Sequence, residues 1–134
     1  MQASVVLSPP RNAHRFSTLL AHATFIPTGA ITTMLGPLLP ILSARWSLSD
    51  MQAGYLVAAQ FTGAFLGTVG TSALVPRWGF RRAIVAGQTL MALGAATLMA
   101  RTFATGIMSV VCYGMGIGLV IPTVNLMIAA QKGL

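Results

Sequence analysis

Charge in this chain is confined to the breaks between long apolar runs, and the sharpest break constrains the rest. Ser72-Ala73-Leu74-Val75-Pro76-Arg77-Trp78-Gly79-Phe80-Arg81-Arg82 is a short arginine-rich turn with apolar sequence on both sides. Three of the eight basic residues lie in it, and no acidic one does. Gly79 permits a sharp reversal, because a residue without a Cβ reaches positive φ at little cost. In membrane proteins, short loops rich in Lys and Arg are kept on the cytoplasmic side. The turn therefore predicts an inside position, and the orientation of the other segments follows from it.

Composition points the same way. Charged residues make up 7%, hydrophobic residues 55%, and the mean hydropathy is +0.80. A water-facing surface needs about a quarter of the residues charged, so the expectation is an integral all-α membrane protein. The net charge of +7 does not form a basic stripe interleaved with aromatics, which argues against a nucleic-acid partner. The single cysteine, Cys112, excludes an internal disulfide or a multi-cysteine metal site and reads as a small packing residue.

Taken in order, residues 1–17 read as a polar cytoplasmic tail containing Pro9-Pro10, Arg11 and Arg15. Four transmembrane helices are expected at about 18–43, 51–75, 83–100 and 103–130, within a single region spanning 18–130. Residues 131–134 form a cytoplasmic end. The first, second and fourth exceed the roughly 20 residues a bilayer crossing needs, and the third just reaches across. The first contains Gly36, Pro37 and Pro40 and the fourth contains Gly116, Gly118 and Pro122. These read as helix breaks, tolerated where neighbours satisfy the freed carbonyls, and such interruptions mark helices that line a cavity. Between the first two spans, Trp46 suits a membrane interface and Ser49 with Gln52 forms a candidate capping box. Asp50, the only acidic residue, falls in the first turn of the second helix, where the helix dipole favours it; capping suits it better than proton carriage. Gly63-x-x-x-Gly67 places small residues on one face for close helix approach, more often within a chain than between chains. Gln60 either bonds a neighbouring helix or faces an aqueous cavity. With both termini inside, six cations lie on the cytoplasmic side (Arg11, Arg15, Arg77, Arg81, Arg82, Lys132) and two outside (Arg45, Arg101), in keeping with the positive-inside rule.

Enzymatic readings find little support. Ser72 sits in a small-residue setting like that of an intramembrane serine protease, yet such an enzyme needs a base within hydrogen-bond reach. The two histidines, His14 and His22, lie in the tail and near the start of the first span. The Gly114-x-Gly116-x-Gly118 run has neither a preceding strand nor an adjacent lysine, so helix packing explains it better than phosphate binding. A small multidrug exporter would carry a glutamate in its first span; this chain contains no glutamate. The expectation is a non-enzyme with no cofactor and no metal.

The turn resembles the signature loop between helices 2 and 3 of the major facilitator superfamily, which reads roughly Gly-x-Leu-x-Asp-Arg-x-Gly-Arg-Arg/Lys. Leu74, Arg77, Gly79 and Arg81 match, and Arg82 adds a cation. Ser72 replaces the first glycine, Pro76 the aspartate and Phe80 the first basic residue. Ser49-Asp50-Met51-Gln52-Ala53-Gly54 and the glycine-rich fourth span ending in Pro122 are also similar to the family. Within it, Leu38-Leu39-Pro40, Gln52-Ala53-Gly54 and Ala92-Leu93-Gly94-Ala95-Ala96 look most like the fucose/glucose permease branch. The resemblance covers about residues 18 to 130.

The resemblance implies part of the six-helix N-terminal half of a secondary-active transporter in a bacterial inner membrane. Such a protein moves a small polar, sugar-like solute by alternating access, and this portion would be incomplete on its own. The implied partners are membrane lipid, the solute, and the remaining transporter helices or a partner membrane protein. Leu74, Arg77, Gly79, Arg81 and Arg82 would form the gating loop. Pro76 cannot supply the aspartate that stabilises this gate in family members, and the first and fourth spans lack the carboxylates that branch members use for proton coupling. Thr28, Thr32, Thr33, Gln60 and Asn125 are the candidate substrate-cavity residues, each equally readable as an interhelical hydrogen-bonding group. A rival reading is a self-contained four-helix membrane subunit with an assembly or regulatory role.

Overall fold

A computed structural model describes residues 11–98 and 102–131 of the chain. They form three helices: α1 (Arg11–Trp46), α2 (Asp50–Thr97) and α3 (Phe103–Gln131). The helix-forming pattern expected from the apolar runs is present throughout. The predicted set of four transmembrane helices is not. Among the described residues one helical stretch, Phe103–Ala130, is long and apolar enough to cross a membrane by length and composition, with a mean hydropathy of 1.9. Elsewhere glycine, threonine, glutamine and proline dilute the apolar residues, and the expected second and third spans belong to one element.

That element is not a straight rod. Gly79 alone within α2 departs from helical geometry, with φ 77° and ψ 164°. This combination of angles is essentially restricted to glycine. Arm one (residues 50–78) and arm two (residues 80–97) therefore meet at a reversal that the arginine-rich turn predicts. Pro76, three residues earlier and still inside the helix, lacks an N–H and weakens the last turn of arm one.

The reversal can be read from packing. Gly63 lies against Val111 and Gly67 against Met115, so residue numbers rise together and arm one runs parallel to α3. Gly87 lies against Val120, and Gly94 against Ser109 and Tyr113, so arm two runs antiparallel to it. Helix α3 is thus flanked by both arms of α2, and most of its apolar stretch is buried inside the protein.

The run of alternate glycines in α3 serves both contacts. Gly114 and Gly118, one turn apart, abut the backbone of Gln60 and Ala64 in arm one. Gly116, on the opposite side, abuts Gly87 and Met91 in arm two. A Cβ at any of these positions would enter the neighbouring backbone or side chain. Gly116 and Gly118 are therefore contact points and not the helix breaks expected of them; α3 continues through Pro122 to Gln131. Helix α1 likewise continues through Gly36, Pro37 and Pro40.

Two apolar clusters fill the remaining interior. Met91, Tyr113, Ile117, Val120 and Val124 join arm two to α3. Leu35 and Leu42 of α1 meet Leu56, Leu98 and Val110, with Trp46 packed beside them. Trp46, expected at a membrane interface, instead lays its indole over Gly106, and its buried Nε1 has no hydrogen-bond partner among the described residues.

The α1–α2 connection follows from local rules. Ser47 takes positive φ (50°), and the Leu48 N–H donates to the Ser43 carbonyl at 2.9 Å, the six-to-one bond of a Schellman stop. Ser49 then caps α2. Its Oγ accepts from the Gln52 N–H at 3.3 Å, and Gln52 Oε1 accepts from the Ser49 N–H at 3.0 Å, completing the expected capping box. The tail expected over 1–17 is helical from Arg11 onward. Residues 1–10 and 132–134 of the expected cytoplasmic ends lie outside the described residues, as do 99–101 with the outer-loop Arg101.

Three glycine substitutions test this packing. Gly118→Leu is expected to lose about 1–3 kcal/mol through overpacking, measured by denaturant unfolding in detergent, whereas Gly70→Ala, with open space around the new Cβ, should gain about 0.5–1 kcal/mol. Gly79→Ala should cost about 1–3 kcal/mol in the same assay from backbone strain alone, since open space surrounds its Cβ as well.

Candidate functional site

Two polar features stand out against the apolar background. The first is the carbonyl of Gly118. Pro122 has no N–H, so the usual helical donor to the residue four positions earlier is missing. Hydroxyls from arm one approach that oxygen instead: Thr68 Oγ1 donates at 3.3 Å and Thr71 Oγ1 at 3.5 Å. Thr71 is buried and also lies 3.5 Å from the Leu119 carbonyl. Each hydroxyl is shared with its own helix, Thr68 with Ala64 at 2.9 Å and Thr71 with Gly67 at 3.1 Å. The contact is possible because Gly118 lets the two backbones come together. Thr71 belongs to the small-residue series that carries Gly63 and Gly67 and is read from the sequence only as part of that packing face; Thr68, beside Gly67, is not singled out.

The second feature joins α1 to arm two. Gln88 Nε2 donates to Thr28 Oγ1 at 3.1 Å, and Thr28 is 2% exposed. Of the five expected cavity residues, Thr28 alone is buried. Thr32, half-buried, donates to the Thr28 carbonyl at 2.6 Å. Thr33 is exposed and donates to the Ala30 carbonyl at 3.0 Å. Gln60 is half-buried on arm one, where its backbone meets Gly114, and Asn125 is exposed on α3. The three α1 threonines share neighbouring turns, but no hydrogen bond brings Gln60 or Asn125 to them. Gln88 was missed, although it is the one strongly polar residue in the middle of its arm, as Gln60 is in the other.

The expected gating residues cluster at the α2 reversal. Leu74 is half-buried, and Arg77, Gly79, Arg81 and Arg82 are exposed. An open groove of about 610 Å³ runs from this turn along arm two, lined by Trp78, Arg81, Arg82, Val85 and Ala86. A second open groove of about 470 Å³ lies between the end of arm two and the start of α3, lined by Thr97, Ala104, Thr105, Met108, Ser109 and Cys112. Cys112 is half-buried there with a free thiol. Among the described residues, no cluster of His, Cys, Asp or Glu is placed to hold a metal ion.

No family model, curated protein or solved structure matches the chain.

The Thr68–Thr71 contact makes a sharp prediction. Thr68→Val with Thr71→Val leaves the Gly118 carbonyl without a donor and should cost about 1–3 kcal/mol in denaturant unfolding. In a Pro122→Ala background the same pair should cost clearly less, because the alanine restores the missing backbone N–H. A double-mutant cycle isolates that coupling; strict additivity would show that the hydroxyls do not serve the proline gap.

Proposed function

We infer that this chain is the N-terminal portion of a secondary-active transporter of the major facilitator type, acting on a small polar, sugar-like solute and incomplete on its own. The observation that carries the reading is the arginine-rich reversal of α2. The residues that resemble the family's gating loop lie at one turn, with Gly79 in a conformation suited to glycine and three arginines exposed around it. The close glycine-faced packing of α2 on α3 supports the reading, as does a helix long and apolar enough to span a membrane. In lipid, helix association relies on such small-residue contacts.

The outward-facing apolar residues favour a membrane setting. Phe61, Phe65, Leu66 and Val69 on arm one and Val85 and Leu93 on arm two are each about half exposed or more. Exposed apolar side chains of this size along both arms suit a surface that meets lipid or a partner. They equally support the second reading, a membrane subunit that packs against another protein. The inner-membrane location belongs to this proposal and rests on the family resemblance.

Uptake of labelled hexoses into liposomes separates the two. The 134-residue chain alone is expected to give no uptake above empty liposomes. Reconstituted together with a polypeptide that supplies the remaining helices of a transporter of this type, it should give saturable uptake. Absence of uptake from that combination, with the chain helical and inserted, would favour the subunit reading. Saturable uptake by the chain alone would overturn its incompleteness.

A further inference from the structure

We propose that the groove beginning at the α2 reversal is a binding site for an anionic phospholipid, with the phosphate held by Arg81 and Arg82 and an acyl chain laid along arm two. The proposal rests on the membrane reading above and adds to it a ligand class and a site.

The lining of the groove is amphiphilic. At the turn it is lined by two guanidiniums and by Trp78, and further along arm two by Val85 and Ala86. Arg81 and Val85, like Arg82 and Ala86, are four residues apart and so stack along one side of the helix. Trp78 is 52% exposed and Val85 58% exposed. A free phosphate would use the arginines and leave the apolar wall bare, whereas a lipid uses both. Trp is also a side chain favoured at the headgroup level of a bilayer.

The charge there is uncompensated. Asp50 is the only acidic side chain in the chain, and it begins arm one, roughly 40 Å away along a helix rising ~1.5 Å per residue. No hydrogen bond or ion pair with another described residue engages Arg81 or Arg82. Arg77 adds a third cation at the turn. A guanidinium presents paired donors that suit phosphate oxygens, and juxtamembrane basic clusters attract anionic headgroups.

Tryptophan quenching by brominated lipids tests this on the full chain in liposomes. Trp46→Phe protein is used, so that Trp78 reports alone. Bromine-labelled phosphatidylglycerol at about 10 mol%, enough for mass action to reveal a preference, is compared with bromine-labelled phosphatidylcholine. The expected result is about twofold or stronger quenching by the anionic lipid, falling to the phosphatidylcholine level in Arg81→Gln/Arg82→Gln. Circular dichroism checks that both proteins keep their helicity, and wild-type protein with Trp46 retained checks that the preference does not come from its replacement. Equal quenching by the two lipids in the parent protein would overturn the site while leaving membrane insertion intact. Quenching by neither would overturn insertion and the site together. Loss of the preference on adding soluble glycerol phosphate would show a phosphate site indifferent to the acyl chain, and would overturn the lipid assignment.

Discussion

The structure depends on backbone meeting backbone between α3 and the two arms of α2. Glycines stand on both sides of these contacts: Gly63, Gly67, Gly87 and Gly94 from α2, and Gly114, Gly116 and Gly118 from α3. Helices brought this close hold together through dense van der Waals contact and interhelical hydrogen bonds, the means by which helices also associate in lipid. The alternate spacing in α3 lets one helix approach two partners on opposite sides. That arrangement explains why the most apolar helix is also the most enclosed, while the more mixed arms face outward.

The same close approach accommodates a proline within α3. Pro122 removes a helical donor, and hydroxyls from arm one stand where they can serve the orphaned Gly118 carbonyl. A bulkier residue at position 118 would hold the arms too far apart for that to happen. Packing and hydrogen bonding are therefore coupled at this point: the glycine sets the distance, and the threonines use it. Helix α1 is held differently, through Leu35, Leu42 and Trp46 at one end and the Gln88–Thr28 bond farther along.

Local chemistry was the legible part of the sequence. Ser49 and Gln52 announced a cap because a capping box involves only four consecutive residues, and Gly79 announced a reversal because its neighbours change character abruptly. Intramolecular use of Gly63 and Gly67 was also readable as the commoner outcome. The number of membrane-spanning helices was not, because an apolar run broken by Thr, Gln and Gly resembles a span by eye yet falls below the hydropathy of Phe103–Ala130. Gly116, Gly118 and the prolines of α1 looked like breaks, since sequence does not show whether a neighbour will support the helix. Gln88 and the hydrogen bonding of Thr68 and Thr71 were missed because their partners lie 47 to 60 positions away. The candidate cavity set was drawn by residue type, and Gln60 and Asn125 have no hydrogen bond to the α1 threonines.

The wide separation of Asp50 from the arginines of the turn gives α2 an electrical polarity along arm one. Opposite charges held that far apart do not neutralise one another, because screening at physiological salt acts over about 8 Å. The turn therefore presents its three arginines as a net positive end of the protein. An anionic surface or partner drawn in by that field meets the turn first.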